Sequence, residues 1–205
     1  MTATAALVPE MLHHSGFVCR DAAKTVDFYS RILGMKFIST VMDDRVPSTG
    51  EAFPYLHLFF EMKDGSTLAF FESPSLPEPA PVSHPAYRVF THMALQAADT
   101  AEVDVWAKRL RDNGIEVVGP VDHGIIYSIY FFDPDGNRLE LTTTTDASWV
   151  DHASEAQRDL AQWQETKARA RREGRDLKAA LTELIHSKKA EMQGRGIKTA
   201  DKLHD

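Results

Sequence analysis

Apolar and polar positions alternate in short runs over most of the first 145 residues. Met11 to Arg20 alternates, with Leu12, His14, Gly16 and Val18 on one face, and this predicts a strand. Asp21 can cap a helix in which Val26, Tyr29, Ile32 and Leu33 recur at helical spacing beside Phe28, and Gly34 suits a left-handed helix end. Met35 to Met42 reads as a strand, Asp43 to Ala52, with Pro47 and Gly50, as a loop. Phe53 to Met62 and Ser66 to Glu72 read as two strands joined by Lys63-Asp64-Gly65, a hairpin signal. Five prolines (Pro74, Pro77, Pro79, Pro81, Pro85) then make Ser73 to Pro85 a stiff linker.

Beyond the linker the pattern begins again. Phe90 to Ala97 predicts a strand and Asp99 a cap. Thr100 to Asn113 predicts a helix with Val103, Trp106, Ala107 and Leu110 on one side, ended by Gly114. Ile115 to Val118 predicts a strand. Ile125 to Phe132 and Arg138 to Thr145 predict two more, flanking the turn Asp133-Pro134-Asp135-Gly136. His14 and His92 are 78 residues apart, as are Asp21 and Asp99, and Phe28 and Trp106. The two Asp-Gly turns are 71 apart, as are Ala69 and Glu140. This is an internal repeat of β-α-β-β-β. It predicts an α+β fold of two tandem βαβββ modules packed around a shared cavity, with His14 and His92 facing each other across it. The expected boundaries are an arm over 1–10, modules over 11–73 and 88–146, the linker over 74–87 and a helical extension over 147–205. In that extension, residues 150–193 predict two helices broken near Gly174, with Leu160, Trp163, Leu177, Leu181, Leu184 and Ile185 as an apolar stripe. The expected role of the extension is packing on its own domain or on a neighbouring subunit.

Composition narrows the function. Hydrophobic residues at 43% and charged residues at 26% describe a globular protein with enough apolar mass for a core. The net charge of −7 argues against nucleic acid as the main partner, and no apolar run is long enough for a membrane span. The N-terminus lacks the basic start of a signal peptide, and the single cysteine, Cys19, fits a reducing cytoplasm as a small buried hydrophobe. The charge divides unevenly, −9 before Asp151 and +2 from Asp151 onward, which marks the extension as a separate element.

Glu140 lies in an apolar strand, where a carboxylate costs free energy unless it is paired or holds a cation. With His14 and His92 it makes a two-imidazole, one-carboxylate set suited to a divalent metal with positions left open. The stretches FYSRILGMKF and DPDGNRLEL, with the two strand-opening histidines, resemble the vicinal oxygen chelate superfamily over residues 11–145. That superfamily includes glyoxalase I, fosfomycin-resistance proteins and type I extradiol dioxygenases. The resemblance implies His14, His92 and Glu140 as metal ligands; His14 is preferred over His13 because its spacing to Asp21 repeats that of His92 to Asp99.

Glyoxalase-like sites take a carboxylate from both modules, and here Ala69 stands in the first, which leaves a three-ligand site resembling that of the extradiol dioxygenases. Their signature matches at His123, Ile129-Tyr130, Asp133-Pro134, Gly136 and Glu140, and it implies that His123 and Tyr130 bond the substrate or the metal-bound oxygen. The implied activity is ring cleavage of a catechol-type aromatic with O2 at Fe(II), with Mn(II) or another divalent metal as the alternative. The implied protein is a cytoplasmic homo-oligomer, a dimer or larger, with no nucleic-acid or membrane partner. One position departs: Ser66 stands where ring-cleaving relatives carry an acid–base histidine, and His57 is the candidate to replace it. Two alternatives follow, a glyoxalase-like lyase or isomerase or fosfomycin-modifying transferase, and a non-catalytic small-molecule-binding resistance protein.

Overall fold

The computed structural model describes Pro9, residues 11–77 and residues 80–194. The rest of the expected arm, Pro79 of the linker and the extension beyond 194 lie outside the described residues. The chain divides into two compact units that do not follow the repeat. The first comprises Met1–Met93, Arg109–Glu116 and Phe131–Leu139; the second comprises Ala94–Lys108, Val117–Tyr130 and Glu140–Asp205.

The strands form two four-stranded sheets of identical order. Strands β1 (His14–Val18), β2 (Lys36–Arg45), β3 (Ala52–Glu61) and β4 (Thr67–Glu72) make a sheet ordered β1-β4-β3-β2. Strands β5 (Met93–Gln96), β6 (Val118–Asp122), β7 (Ile126–Phe132) and β8 (Arg138–Thr144) repeat it as β5-β8-β7-β6. In the first sheet β1 runs parallel to β4, while β3 is antiparallel to both β4 and β2. The predicted α+β class and internal repeat are therefore present.

Helix α1 (Ala22–Val26) starts where Asp21 accepts the amides of Ala23 and Lys24, and it continues as a wider π-type turn over Asp27–Ile32. There Leu33 donates to the Phe28 carbonyl at 3.0 Å, and Gly34 ends the helix at φ 72°. The helix carries Phe28, Tyr29 and Ile32 into the core. The Tyr29 ring sits 4.6 Å from Phe70 and 5.4 Å from Phe60, both of them wholly buried. Each such side chain contributes roughly 1.5–3 kcal/mol on burial, so this aromatic layer anchors α1 to one face of the sheet. Alternation then places Leu58, Phe60, Leu68 and Phe70 toward α1 and sends His57, Phe59, Ala69 and Phe71 to the opposite face.

Helix α3 (Thr100–Asp112) opens with a reciprocal cap: Asp99 accepts the Glu102 amide at 2.8 Å, and Glu102 accepts the Ala98 amide. Three boundaries differ from expectation. Ile115 does not begin a strand; its amide bonds the Leu110 carbonyl at 3.0 Å beyond Gly114 (φ 75°), so it closes the helix, and β6 begins only at Val118. Residues Ala86–Phe90 form a short exposed helix, α2, so the strand predicted from Phe90 starts at Met93 and His92 stands just before it. Strand β2 runs on through Asp43 and Asp44 to Arg45, because an exposed edge strand has no buried face that polar residues would spoil.

In the extension, helices α4 (Ala153–Arg172) and α5 (Leu177–Gly194) are separated at Gly174 (φ 64°), as the sequence predicts. Their buried positions are the small residues Thr166, Ala170 and Ala180, while Leu160, Trp163 and Ile185 are exposed. The predicted stripe is therefore only partly buried. The hairpin is tied by Arg175 to Glu183 at 2.7 Å and by Lys188 to Asp159. Among the described residues, no helix is long and apolar enough to cross a membrane.

Candidate functional site

Two clusters carry chemistry, one in each unit. In the first unit, His14 opens β1 opposite Thr67 of β4, whose amide and hydroxyl both donate to the His13 carbonyl. This fixes the backbone at the histidine pair. The Nδ1 atoms of His13 and His14 lie 2.8 Å apart and share one hydrogen. On the same sheet face the His14 ring is 6.5 Å from His57 and 6.2 Å from Phe59. His57 stacks on Phe71 with ring centres 3.6 Å apart, and its Nε2 is buried with no hydrogen-bond partner. Burial, and next the neighbouring His14, hold the His57 imidazole below its usual pKa range.

Ser66, where an acid–base histidine was sought, is part of a turn. Its hydroxyl donates to Asp64 at 2.5 Å and its amide at 3.0 Å. Ala69, the counterpart of Glu140, is completely buried between Gly16 and Phe59.

In the second unit, the His123 Nε2 and the Tyr130 hydroxyl are 2.8 Å apart. The rings meet edge-on at 85°, and the His123 amide donates to the Ile126 carbonyl, closing the turn into β7. The Tyr127 hydroxyl donates to Asp104 of α3 at 3.0 Å, so Tyr127 and Ile129 face that helix while Ser128 and Tyr130 face away. Ser128 bonds Thr142 through their hydroxyls at 2.7 Å, which puts Thr142, and by alternation Glu140, on the Tyr130 face. Glu140 is 2% exposed between Leu139 and Leu141. At that depth a carboxylate is costly unless it is bonded or near a cation.

The turn between β7 and β8 belongs to the first unit. Asp133, 6% exposed, accepts the amides of Asp135 and Asn137, the Asn137 side chain and the Tyr29 hydroxyl at 2.8–3.0 Å. Burial, followed by the Asp133 charge, holds the Tyr29 hydroxyl well above its usual pKa. His92 lines a cavity of about 880 Å³ in this unit together with Phe17, Arg20, Arg88 and Arg138.

The structure thus brings together His123 with Tyr130, on a face shared with Glu140, and His14 with His57. Among the described residues, no group of three His, Cys, Asp or Glu side chains forms a metal-holding cluster, so the set His14, His92 and Glu140 rests on repeat equivalence and resemblance. By donor type alone, two imidazoles and a carboxylate suit a divalent ion; His14 and His92 are exposed, and Glu140 is held on a central strand. Sequence reasoning raised His57 only as a substitute. Its alternation with Phe59 was readable, but its stacking on Phe71 depends on a register that alternation does not specify.

A profile of the glyoxalase/bleomycin resistance protein/dioxygenase superfamily matches residues 11–141. The putative ring-cleaving dioxygenase MhqA of Bacillus subtilis is 27% identical over 134 residues, which cover 64% of this chain and 39% of that protein. The chain thus spans well under half of that relative's length. The metallothiol transferase FosB of Staphylococcus saprophyticus is 27% identical over 148 residues, 71% of this chain and 85% of that protein. A glyoxalase/dioxygenase crystal structure from Nostoc punctiforme superposes with a TM-score of 0.52 at 26% identity, covering 71% of this chain and all of that one. With the profile spanning both β-α-β-β-β modules, the chain belongs to the glyoxalase/bleomycin resistance protein/dioxygenase superfamily, also called the vicinal oxygen chelate superfamily.

Proposed function

We propose that this protein is an extradiol, ring-cleaving dioxygenase that opens a catechol-type aromatic with O2 at a divalent metal. Fe(II) is the metal of this reading, with Mn(II) as the alternative, and His14, His92 and Glu140 are the residues that would hold it. The chemistry supplied by such an ion when bound is chelation of the diol oxygens beside O2 and passage of electron density from ring to oxygen. Where the His14 Nδ1–H donates to His13, its Nε2 would be the atom left to ligate.

The observation that carries the reading is the 2.8 Å bond between His123 and Tyr130 on the face that Glu140 shares. An imidazole can take up a proton near neutral pH, and a phenol can donate to an oxygen gaining negative charge. Bonded together, they form a pair able to take a proton from a diol oxygen and to steady the anion left behind. Tyr130 also pairs with Val118 of β6, so its backbone is held within the sheet. The similarity to a putative ring-cleaving dioxygenase supports this reading.

A second reading, a metal-dependent lyase, isomerase or transferase, is favoured by one observation: Ser66 is committed to Asp64 and offers no acid–base group. The similarity to a metallothiol transferase points the same way. An oxygen-electrode screen of anaerobically iron-loaded protein against a panel of catechols separates the two. Oxygen uptake with one diol and not others supports ring cleavage, whereas none with any diol turns the assignment to the second reading.

A further inference from the structure

Two surfaces, one on each unit, carry large apolar side chains that stay exposed. The first is on the hairpin of α4 and α5. Asp159, near the start of α4, pairs with Lys188, near the end of α5, so the helices run antiparallel. Their seam closes on the small residues Thr166, Ala170 and Ala180. Counted from that seam at about 3.6 residues per turn, Leu160 and Trp163 of α4 fall on the same flank of the hairpin as Leu181, Ile185 and Met192 of α5. Leu160 is 60% exposed and Ile185 41%. Lys167, Arg171, Lys178 and Lys189 share that flank. Glu155, Glu165 and Glu183 lie on the opposite one, and Asp159 and Glu191 lie at the seam. The flank is therefore apolar, and its charges are all basic.

The second surface is the outer strand of the first sheet. Every residue of β2 is exposed, Phe37, Ile38, Val41 and Met42 among them. Beside it lies a groove of about 500 Å³ lined by Met42, Asp43, Tyr55, Leu56 and Glu72 between Pro54 and Pro74, with no basic residue among its described walls. Asp43 accepts the amides of Asp44 and Arg45, and Glu72 accepts that of Ala22. These donors are neutral, so the groove keeps its negative charge. A long apolar edge strand invites pairing unless a helix or loop covers it. The charge division of the chain, −9 before Asp151 and +2 from it onward, has the sign that such a cover needs. Two hairpins laid flank to flank would instead oppose their bases.

We propose that the hairpin of one chain seats its basic, apolar flank on the β2 edge and acidic groove of a second copy, and that the exchange is mutual in a two-fold dimer. The apolar side chains cover the strand, and the lysines and the arginine face the carboxylates. This assembly is independent of the reaction assigned to the site.

Light scattering of the full-length protein at micromolar concentration and low salt should give two chains per particle, with the dimer weakening as salt is added. Asp43→Lys and Lys167→Glu each oppose like charges in both contacts and should weaken the dimer at least about 10-fold. Mixed together, the two variants should recover it, because in the mixed pair each hairpin again meets a groove of opposite sign. Leu160→Asp should give a monomer whose melting temperature stays close to that of the unaltered chain. A monomeric unaltered chain overturns the assembly, whether its flank lies on its own chain or binds phosphatidylserine vesicles in a flotation assay. A dimer indifferent to both Asp43→Lys and Lys167→Glu overturns it too, as do variants that weaken the dimer and fail to recover it on mixing.

Discussion

The two sheets have the same strand order, yet the faces turned away from their helices carry opposite chemistry. At the equivalent positions 71 residues apart, His57, Phe59, Ala69 and Phe71 of the first sheet correspond to Ser128, Tyr130, Glu140 and Thr142 of the second. The first face is aromatic: His57 stacks on Phe71 and packs against Phe59, and the carboxylate position is a buried alanine. The second face is a hydrogen-bonding surface, with Ser128 bonded to Thr142 and Tyr130 to His123. The helix-facing sides do not diverge in this way. Leu58, Phe60, Leu68 and Phe70 match Ile129, Phe131, Leu139 and Leu141, and all are buried. Packing holds one side of each copy apolar, and the other side is where the copies have specialised. The second copy carries the carboxylate and the bonded pair of His123 and Tyr130, and the first carries the imidazoles of His14 and His57 beside an apolar wall.

The largest expected effect breaks this division at its charged position. Glu140→Gln keeps the size of the side chain and removes the charge. It should reduce bound iron from about one ion per chain to less than a tenth, with activity falling on the order of 1000-fold; metal analysis and oxygen uptake on the same preparation check both. Asp133→Ala comes next, since it strips a buried turn of its acceptor and leaves the Tyr29 hydroxyl and two amides without it. The cost should be roughly 3 kcal/mol, read from urea unfolding. Tyr130→Phe tests the pair on the second face: kcat should fall on the order of 100-fold with KM changed little. The equivalent exchange on the first face, Phe59→Tyr, should leave the metal content unchanged, and a metal loss there would blur the comparison. The smallest effect concerns Cys19, whose buried thiol is pushed up to about 11 by its burial. It should react with a thiol reagent at pH 8 only after unfolding.

Much of the fold could be read from local chemistry. The caps Asp21 and Asp99, the helix-ending Gly34 and Gly114 and the break at Gly174 act through their nearest neighbours in the chain, so the sequence displays them directly. The repeat followed from spacing, and the two identical sheet orders match it. Ile115 was misplaced because an apolar residue after a helix-ending glycine can equally start a strand or close the helix, and the bond to Leu110 decides. Helix α2 was missed because its faces are exposed and leave no apolar period to detect. The stripe of the extension gave the period of α4 and α5, but period alone does not say which of Leu160, Trp163 or Ala170 is covered. In the site, His123 and Tyr130 were found through resemblance, and their bond joins residues seven apart across one strand start. The environments of His57 and Arg88 depend on strand register and on a linker's path, neither of which leaves a pattern in the sequence.

Stoichiometric oxygen consumption is the most direct measure of the ring-cleavage assignment. Iron-loaded protein given a catechol that it accepts should consume one O2 per diol, and the His123→Ala variant, still holding its iron, should lose most of that rate. Iron-loaded protein that consumes no O2 with any diol would contradict the assignment.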